Sequence, residues 1–480
     1  MPRYASQGRR RGNVSHRVRC ISRSLLAGDL TVLERLLPAH KVRQAIAAEG
    51  VQFRERLFPP LVTLWVFLLQ VLDADGSCRA AVARLMALLS AGGQGNRVPC
   101  GAGTGPYCKA RQRLPEKLLS RLACETGQAL DRQFPIAAKG LLGGRALRIV
   151  DGTTCSMPDT PENQGAWPQP PTQKTGLGFP LVRLVAILSL NCAAVLDLAM
   201  GSYAGKQQGE SALFRMILSC LKTGDILLAD RYYASCWMMA LLLERGVASL
   251  FRQHQLRRID FRAGRRLGPD DHVITLVRPY QRPEWMDDAT YQRMPDTLEV
   301  REIRVRVCQR GFRVRSVVLV TTLLDAQVYS RAEIAEAFRL RWHVELDLRA
   351  IKQTMGMSVL RCKRPEMVRK EIWMRLLAYN LIRTVMAEAA QTAGRQPREI
   401  SFAGTVQTIN AFAPVLQCAA TRDLPRLWKL LLYAVSRHRV GNRPDRSEPR
   451  AVKRRAKPIA LLTVPRQQAR HQLLRKAIAA

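Results

Sequence analysis

The chain has little that would tie it to a membrane, an oxidising compartment or a thiolate-bound metal. No apolar run is long enough to cross a bilayer. The best, Leu61 to Leu72, is interrupted by Gln70 and followed by Asp73 and Asp75. Met1 to Arg19 is basic but carries no apolar core and no small-residue cleavage site, so secretion is not expected. The 12 cysteines are scattered without a CxxC pair. That excludes a zinc ribbon or redox motif and fits reduced thiols in the cytoplasm. The seven histidines are equally dispersed, with no HxxxH pair, so oxygen ligands would have to hold any metal. Acid is scarce too: 38 Asp+Glu stand against 76 Lys+Arg, a formal charge of +38. Such an excess repels itself unless the partner is a polyanion. Nucleic acid is the leading candidate. An anionic membrane is second, and weaker, because the basic residues run along the whole length.

At 480 residues, with 47% apolar and 24% charged residues, a folded protein of two to four structural units is expected. Residues 1–140 read as a helical N-terminal domain. Asp29 to Leu37, Lys41 to Ala48, Leu61 to Leu72 and Cys78 to Ser90 have helical patterning. A Gly-rich loop from Gly93 to Tyr107 follows. Lys109, Arg111, Arg113 and Lys117 decorate a helix predicted to run to about Leu130. Basic edges suit contact with a DNA end, and a plain packing domain is the alternative.

From Arg145 the period changes to strands, ending first at Asp151-Gly152. The order β-β-β-α-β-α-β over residues 141–252 predicts an α/β mixed sheet with helices on it. Residues 253–325 break that order as a β-rich insertion, and 326–390 return to the core with a final helix. Residues 391–480 read as helical, with a basic tail extended or disordered beyond Arg439.

Three carboxylates stand where such a sheet places its chemistry. Asp151 ends the first strand and Asp230 follows the short buried run Ile226 to Ala229, so both face the crevice beyond the strand ends. Read as one continuous helix, Phe338 to Lys352 sets Phe338, Arg341, Glu345, Arg349 and Lys352 in one stripe beside an apolar stripe of Leu340, Val344, Leu348 and Ile351. Three carboxylates without His or Cys suit Mg²⁺, which binds phosphate oxygens. Each also has a bland reading: a turn residue for Asp151, a helix cap for Asp230, and a solvated i,i+4 pair for Arg341 and Glu345.

These blocks together resemble the DDE transposases of bacterial insertion sequences, of the insertion-sequence-four type. The likeness rests on Ile149-Val-Asp-Gly-Thr-Thr154 with Pro158-Asp-Thr-Pro-Glu-Asn163, on Gly224 to Tyr233, and on Phe338-x₂-Arg341-x₃-Glu345-x₆-Lys352, which has the spacing of the family's Tyr-Arg-Glu-Lys signature. It covers roughly residues 50–440. The resemblance implies a ribonuclease H-like catalytic core interrupted by the insertion, with helical N- and C-terminal regions. It makes Asp151, Asp230 and Glu345 the catalytic metal ligands for Mg²⁺, with Mn²⁺ able to substitute. Arg341 and Lys352 become contacts to DNA phosphates, and Phe338 stands in place of the family Tyr, keeping the ring without its hydroxyl. Cutting at terminal inverted repeats and joining of 3′-ends to target DNA are implied, by a homodimer that pairs two ends, in the cytoplasm and without a membrane. Some relatives stack a flipped base on a Trp in the last strand before the catalytic helix, where this chain has Val317-Val318. Trp285 in the insertion reads rather as a packing residue. The rivals are a structure-selective nuclease on the same core and a DNA-binding regulator without catalysis.

Overall fold

The computed structural model describes residues 35–50, 53, 58–73, 75–91, 101–134, 140–306, 316–441 and 460–478. The helix expected over Asp29 to Leu37 falls almost wholly outside them, as do most of the Gly-rich loop and residues 442–459 of the tail. The described residues belong to two compact units, one built from residues 131–368 and 441–480, the other from 1–130 and 369–440.

The first unit is organised by a nine-stranded mixed sheet in the order β3-β2-β1-β4-β5-β9-β8-β7-β6. The strands are β1 (Leu147–Ser156), β2 (Leu181–Ser189), β3 (Val195–Ser202), β4 (Ile226–Ala229), β5 (Ala248–Arg252), β6 (Arg265–Gly268), β7 (Asp271–Val277), β8 (Thr297–Arg306) and β9 (Ser316–Thr321). Pairing is parallel for β1 with β4 and for β4 with β5, and antiparallel elsewhere. All four β4 residues are buried, as their unbroken apolar run demands of a strand covered on both faces. Among the helices of this unit are α1 (Glu210–Met216), α2 (Cys236–Glu244), α3 (Arg331–Leu340) and α4 (His343–Arg349).

Two sequence expectations change here. The first strand does not stop at Asp151-Gly152. It runs on to Ser156, paired with β2 through Asp151↔Ala186, Gly152↔Val185 and Thr154↔Arg183. Asp and Gly are poor strand formers, yet cross-strand pairing outweighs that weak preference. The β segments of residues 253–325 also form no layer of their own. The last of them, β9, pairs with β5 through Leu250↔Thr321 and Phe251↔Val320, so they extend the core sheet. Buried polar pairs lock that extension. Arg301 holds both oxygens of Asp271 at 2.8 and 2.6 Å, and Glu302 takes His272 at 3.0 Å and Gln253 at 2.6 Å.

In the helical unit, Pro60–Leu72 is buried almost all round. Its Gln70, an interruption in the apolar run, is a buried hub that accepts hydrogen bonds from the Tyr107 hydroxyl at 2.8 Å and Arg111 Nη1 at 2.9 Å. The single helix expected from Lys109 to about Leu130 is two, Gly105–Arg113 and Glu116–Gln133. Pro115 forces Leu114 into an extended conformation between them. Arg111 is buried over the Phe67 ring, 4.8 Å from its centroid, and so packs the core instead of decorating a DNA-facing edge.

The helix Pro365–Thr392 is mostly buried, with Arg375 and Glu371 paired inside at 3.0 Å. Phe402–Cys418 and Leu424–Arg437 are the helices found in the stretch from residue 391 read as helical. The far end of the tail is helical too, Arg466–Ile478, where Gln, Ala, Leu, Arg and Lys are all good helix formers. Among the described residues no helix is long and apolar enough to cross a membrane.

Removing one partner of a buried pair leaves the other charge uncompensated. Asp271→Ala should therefore cost roughly 3–5 kcal/mol in urea unfolding. Asp260→Ala, which breaks the solvent-exposed Asp260–Arg262 pair, should leave the midpoint unmoved. Equal losses from both would show that burial does not set the cost.

Candidate active site

The register of the two parallel strands brings the first two carboxylates together. β1 and β4 pair as Leu147↔Ile226, Arg148↔Leu227 and Ile149↔Leu228. Two residues further along, Asp151 is level with Asp230. There the strands part, because β4 ends at Ala229 while β1 continues along β2. Neighbouring strands lie about 4.8 Å apart, so the two carboxylates share one crevice. Each leans on a backbone amide: Asp151 Oδ1 accepts from Gly152 N at 2.8 Å, and Asp230 accepts from Arg231 N as cap of the 3₁₀ turn Arg231–Tyr233. The helix that Asp230 was expected to cap, α2, is capped instead by Ser235, which accepts from Met238 N; Asp230 caps only the short 3₁₀ turn.

The third carboxylate comes from a helix that is not continuous. A single helix from Phe338 to Lys352 was expected. Instead α3 ends at Leu340, and the next bonds are of the tighter i→i+3 kind: Arg341 N to Phe338 O at 3.0 Å, Val344 N to Arg341 O at 3.0 Å and Glu345 N to Trp342 O at 3.2 Å. α4 follows, and then a π-helical turn over Ala350–Thr354. In a 3₁₀ turn residues three apart stand above one another, which sets the Arg341 guanidinium over the Phe338 ring at 5.6 Å. Arg341 Nη2 also lies 4.0 Å from Glu345 Oε1. Its positive charge acts on Asp151 as well as on Glu345. Lys352 sits half-buried in the π turn, and the charges acting on Asp151 are those of Arg341 and Asp230. The structure thus brings Asp151, Asp230, Glu345, Arg341 and Phe338 together, and Lys352 follows on the π turn beyond Glu345.

A fourth carboxylate, Glu210 at the start of α1, was missed in the sequence. Its carboxyl group packs over Gly152, and its charge interacts with those of Asp151 and Asp230. The only sequence signal was the glycine. Gly152 has no positive φ, so no turn requires it. What it supplies is the space of a missing side chain. Trp285, read as a packing residue, lies under the guanidinium of Arg215 on the same helix at 3.8 Å.

Burial, with the mutual repulsion of the carboxylates second to it, raises Asp151, Glu210 and Glu345 above the ordinary carboxyl range; Arg341 opposes the rise at Asp151 and Glu345. A set of oxygen donors carrying uncompensated negative charge fits a hard divalent cation in its chemistry. Among the described residues, however, no three Asp, Glu, His or Cys side chains are close enough as they stand to hold one metal ion. The two aspartates spend one oxygen each on neighbouring amides and keep the other for a cation.

The family model for the transposase DDE domain matches residues 142–381, half of the chain, and spans all of these residues. The chain belongs to the DDE transposase family. The family expected from sequence is thereby borne out. The transposase InsG for insertion sequence element IS4 of Escherichia coli strain K12 is 29% identical over 443 residues, covering 90% of this chain and 93% of that protein. The transposase for insertion sequence element IS421 of Escherichia coli is 38% identical over 65 residues, 14% of this chain and 18% of that one. A piggyBac transposase synaptic complex with hairpin DNA aligns over 93% of this chain and 91% of that one, at 10% identity and a TM-score of 0.39, which is too distant to bear on the fold.

In this transposase the raised carboxyls make stability depend on pH in a definite direction. The folded state holds protons that the unfolded chain has released. Stability is therefore lost as pH rises from the ordinary carboxyl value through the raised one. Asp151→Asn keeps the acceptor for Gly152 N and removes the charge. It should raise the thermal midpoint at neutral pH and change it little in acid. A lower midpoint at neutral pH would mean that the carboxylate is already compensated.

Proposed function

We propose that this transposase cuts DNA at the terminal inverted repeats of an insertion sequence and joins the freed 3′-ends to target DNA, with Mg²⁺ held by Asp151, Asp230 and Glu345. The observation that carries this reading is the crevice where β1 and β4 part, with the two aspartates level in it and Glu345 brought in by α4. The strand order β3-β2-β1-β4-β5, antiparallel on one side and parallel on the other, supports a ribonuclease H-like core. The excess of positive charge supports DNA as partner. Residues 1–140 serve as the DNA-end-binding region, the 253–325 insertion elaborates the core, and the enzyme acts on cytoplasmic DNA.

Divalent cations bound there would supply an activated water or 3′-hydroxyl and charge compensation for the leaving oxygen. The chain's own residues do the rest. Asp151 and Asp230 present their carboxylates to the crevice from neighbouring strand ends. Glu345 closes the set from the other side of the crevice. Arg341, which here compensates the carboxylates, is freed to hold a DNA phosphate, its guanidinium kept in place by the Phe338 ring. Lys352 contacts phosphate further along the DNA. Pairing of two ends calls for a homodimer, and the exposed Leu430 and Tyr433 of helix Leu424–Arg437 are apolar surface of the kind that contact needs.

The test is cleavage of a plasmid carrying the element's own ends, with Mg²⁺. Asp230→Asn should abolish cutting while end binding persists, because a neutral amide is a poor ligand for Mg²⁺. Cutting retained by that variant would remove the metal-site assignment. End binding without cutting by the native chain would favour the silent regulator. Arg341→Ala should weaken binding to cleaved ends and reduce the dependence of log affinity on log salt by about one phosphate's worth. An unchanged slope would leave Arg341 only its role against the carboxylates.

A further inference from the structure

Glu210 is held too specifically to be an incidental surface carboxylate. A Cβ built on Gly152 would lie 2.8 Å from Glu210 Cγ and closer still to its carboxyl carbon, so the carboxylate occupies the space left beside Asp151 by the missing side chain. Its helix is fastened to the turn that carries Asp230. Ser211 Oγ donates to Tyr232 O at 3.1 Å, and the Phe214 ring, one helical turn after Glu210, meets the Tyr233 ring edge-on at 5.5 Å. Glu210 therefore stands between the strand of Asp151 and the turn of Asp230, tied to both.

An independent feature points the same way. The Tyr233 side chain is 1% exposed, and its hydroxyl has no partner within hydrogen-bonding geometry. It faces Glu210, Asp151 and Asp230 and comes near enough to Glu210 to oppose the rise in that carboxyl's proton affinity. A buried hydroxyl without a partner costs about 1–3 kcal/mol, a cost that a donated bond in the working state would offset. Arg183, the cation acting on Glu210, is itself engaged: its Nη1 donates to Gln208 O at 2.6 Å and its guanidinium lies over the Tyr203 ring at 4.9 Å.

We propose that Glu210 is a fourth carboxylate of the active site, coordinating a divalent cation jointly with Asp151, with the Tyr233 hydroxyl donating to it and fixing its orientation. The proposal rests on the metal-dependent function and adds to it a ligand from a separate helix. It also gives Gly152 a reason: any side chain there would push the Glu210 carboxylate out of the site. The Glu210 chain is flexible and only half-buried, so Gly152→Ala displaces its carboxylate without removing charge and without touching the core.

The experiment measures Mn²⁺ binding to the purified full-length chain by electron paramagnetic resonance, alongside the Mn²⁺ concentration giving half-maximal cleavage. Glu210→Gln should weaken the affected site about tenfold or more in both readouts. Gly152→Ala should shift both in the same direction, Tyr233→Phe by less, and Glu210→Asp should recover part of the loss. A purely structural Glu210 would lower the thermal midpoint and leave Mn²⁺ affinity alone, and that result would overturn the proposal. Asp230→Asn is the reference. If it loses Mn²⁺ binding while Glu210→Gln and Gly152→Ala both bind as the native chain does, only the Glu210 assignment fails. If Asp230→Asn also binds and cuts normally, the metal-dependent reading fails first.

Discussion

The burial of several carboxylates where β1 and β4 part, with their mutual repulsion second to it, is the constraint on which the site depends. Asp151 and Asp230 are level because the parallel register leaves no alternative, and β1 cannot relax away because it remains paired to β2 through Ser156. Glu210 and Glu345 reach the same region from two helices in different parts of the chain. Hydrophobic packing of the sheet and its helices holds these charges near one another at a cost. Such a concentration of carboxylates has the donor chemistry of a hard divalent cation, as the proposed function requires.

Without that cation, positive charge still has to come from somewhere, and Arg341 supplies it. Its position above Phe338 and 4.0 Å from Glu345 lets one guanidinium oppose the proton affinity of two carboxyls. A mobile counter-charge of this sort suits an enzyme whose substrate is itself an anion. In the proposed function, the residue that offsets the carboxylate charge here would become available to phosphate once a divalent cation took over that task. Phe338 fits that division of labour. The ring alone supports the guanidinium, so the missing hydroxyl does not disturb Arg341.

How legible the site was in the sequence depended on whether its signals were local. β4 and Asp230 were readable because a short apolar run bounded by polar residues has one meaning in a buried parallel strand. Asp151 was readable as a residue, but its place at the end of a strand was not, because β1 continues through Asp and Gly on the strength of its pairing with β2. The insertion strands were visible by their alternation. Their continuity with the core was not, since nothing local announces that β9 will pair with β5. Arg111 looked like a surface cation and is buried, because its aromatic partner Phe67 and its hydrogen-bond partner Gln70 lie on another helix. Glu210 was beyond reach for the same reason: its signal is an absence at Gly152, meaningful only once α1 is known to pack there.

The segment Phe338 to Lys352 shows the limit of the helical-period argument most clearly. The stripe from Phe338 to Lys352 assumes a constant angular step, and the structure departs from that step twice. The 3₁₀ turn at Arg341 and Trp342 overwinds the helix, and the π turn at Ala350 underwinds it. Between those departures the α-helical geometry of His343–Arg349 still sets Val344 and Leu348 on the buried side and Glu345 toward the crevice. Beyond them the π turn carries Lys352, half-buried. The overwound turn acts in the opposite sense, stacking Arg341 on Phe338 more closely than an α-helix would. Arg341 is thereby a counter-charge within the carboxylate cluster, which the linear pattern alone does not reveal.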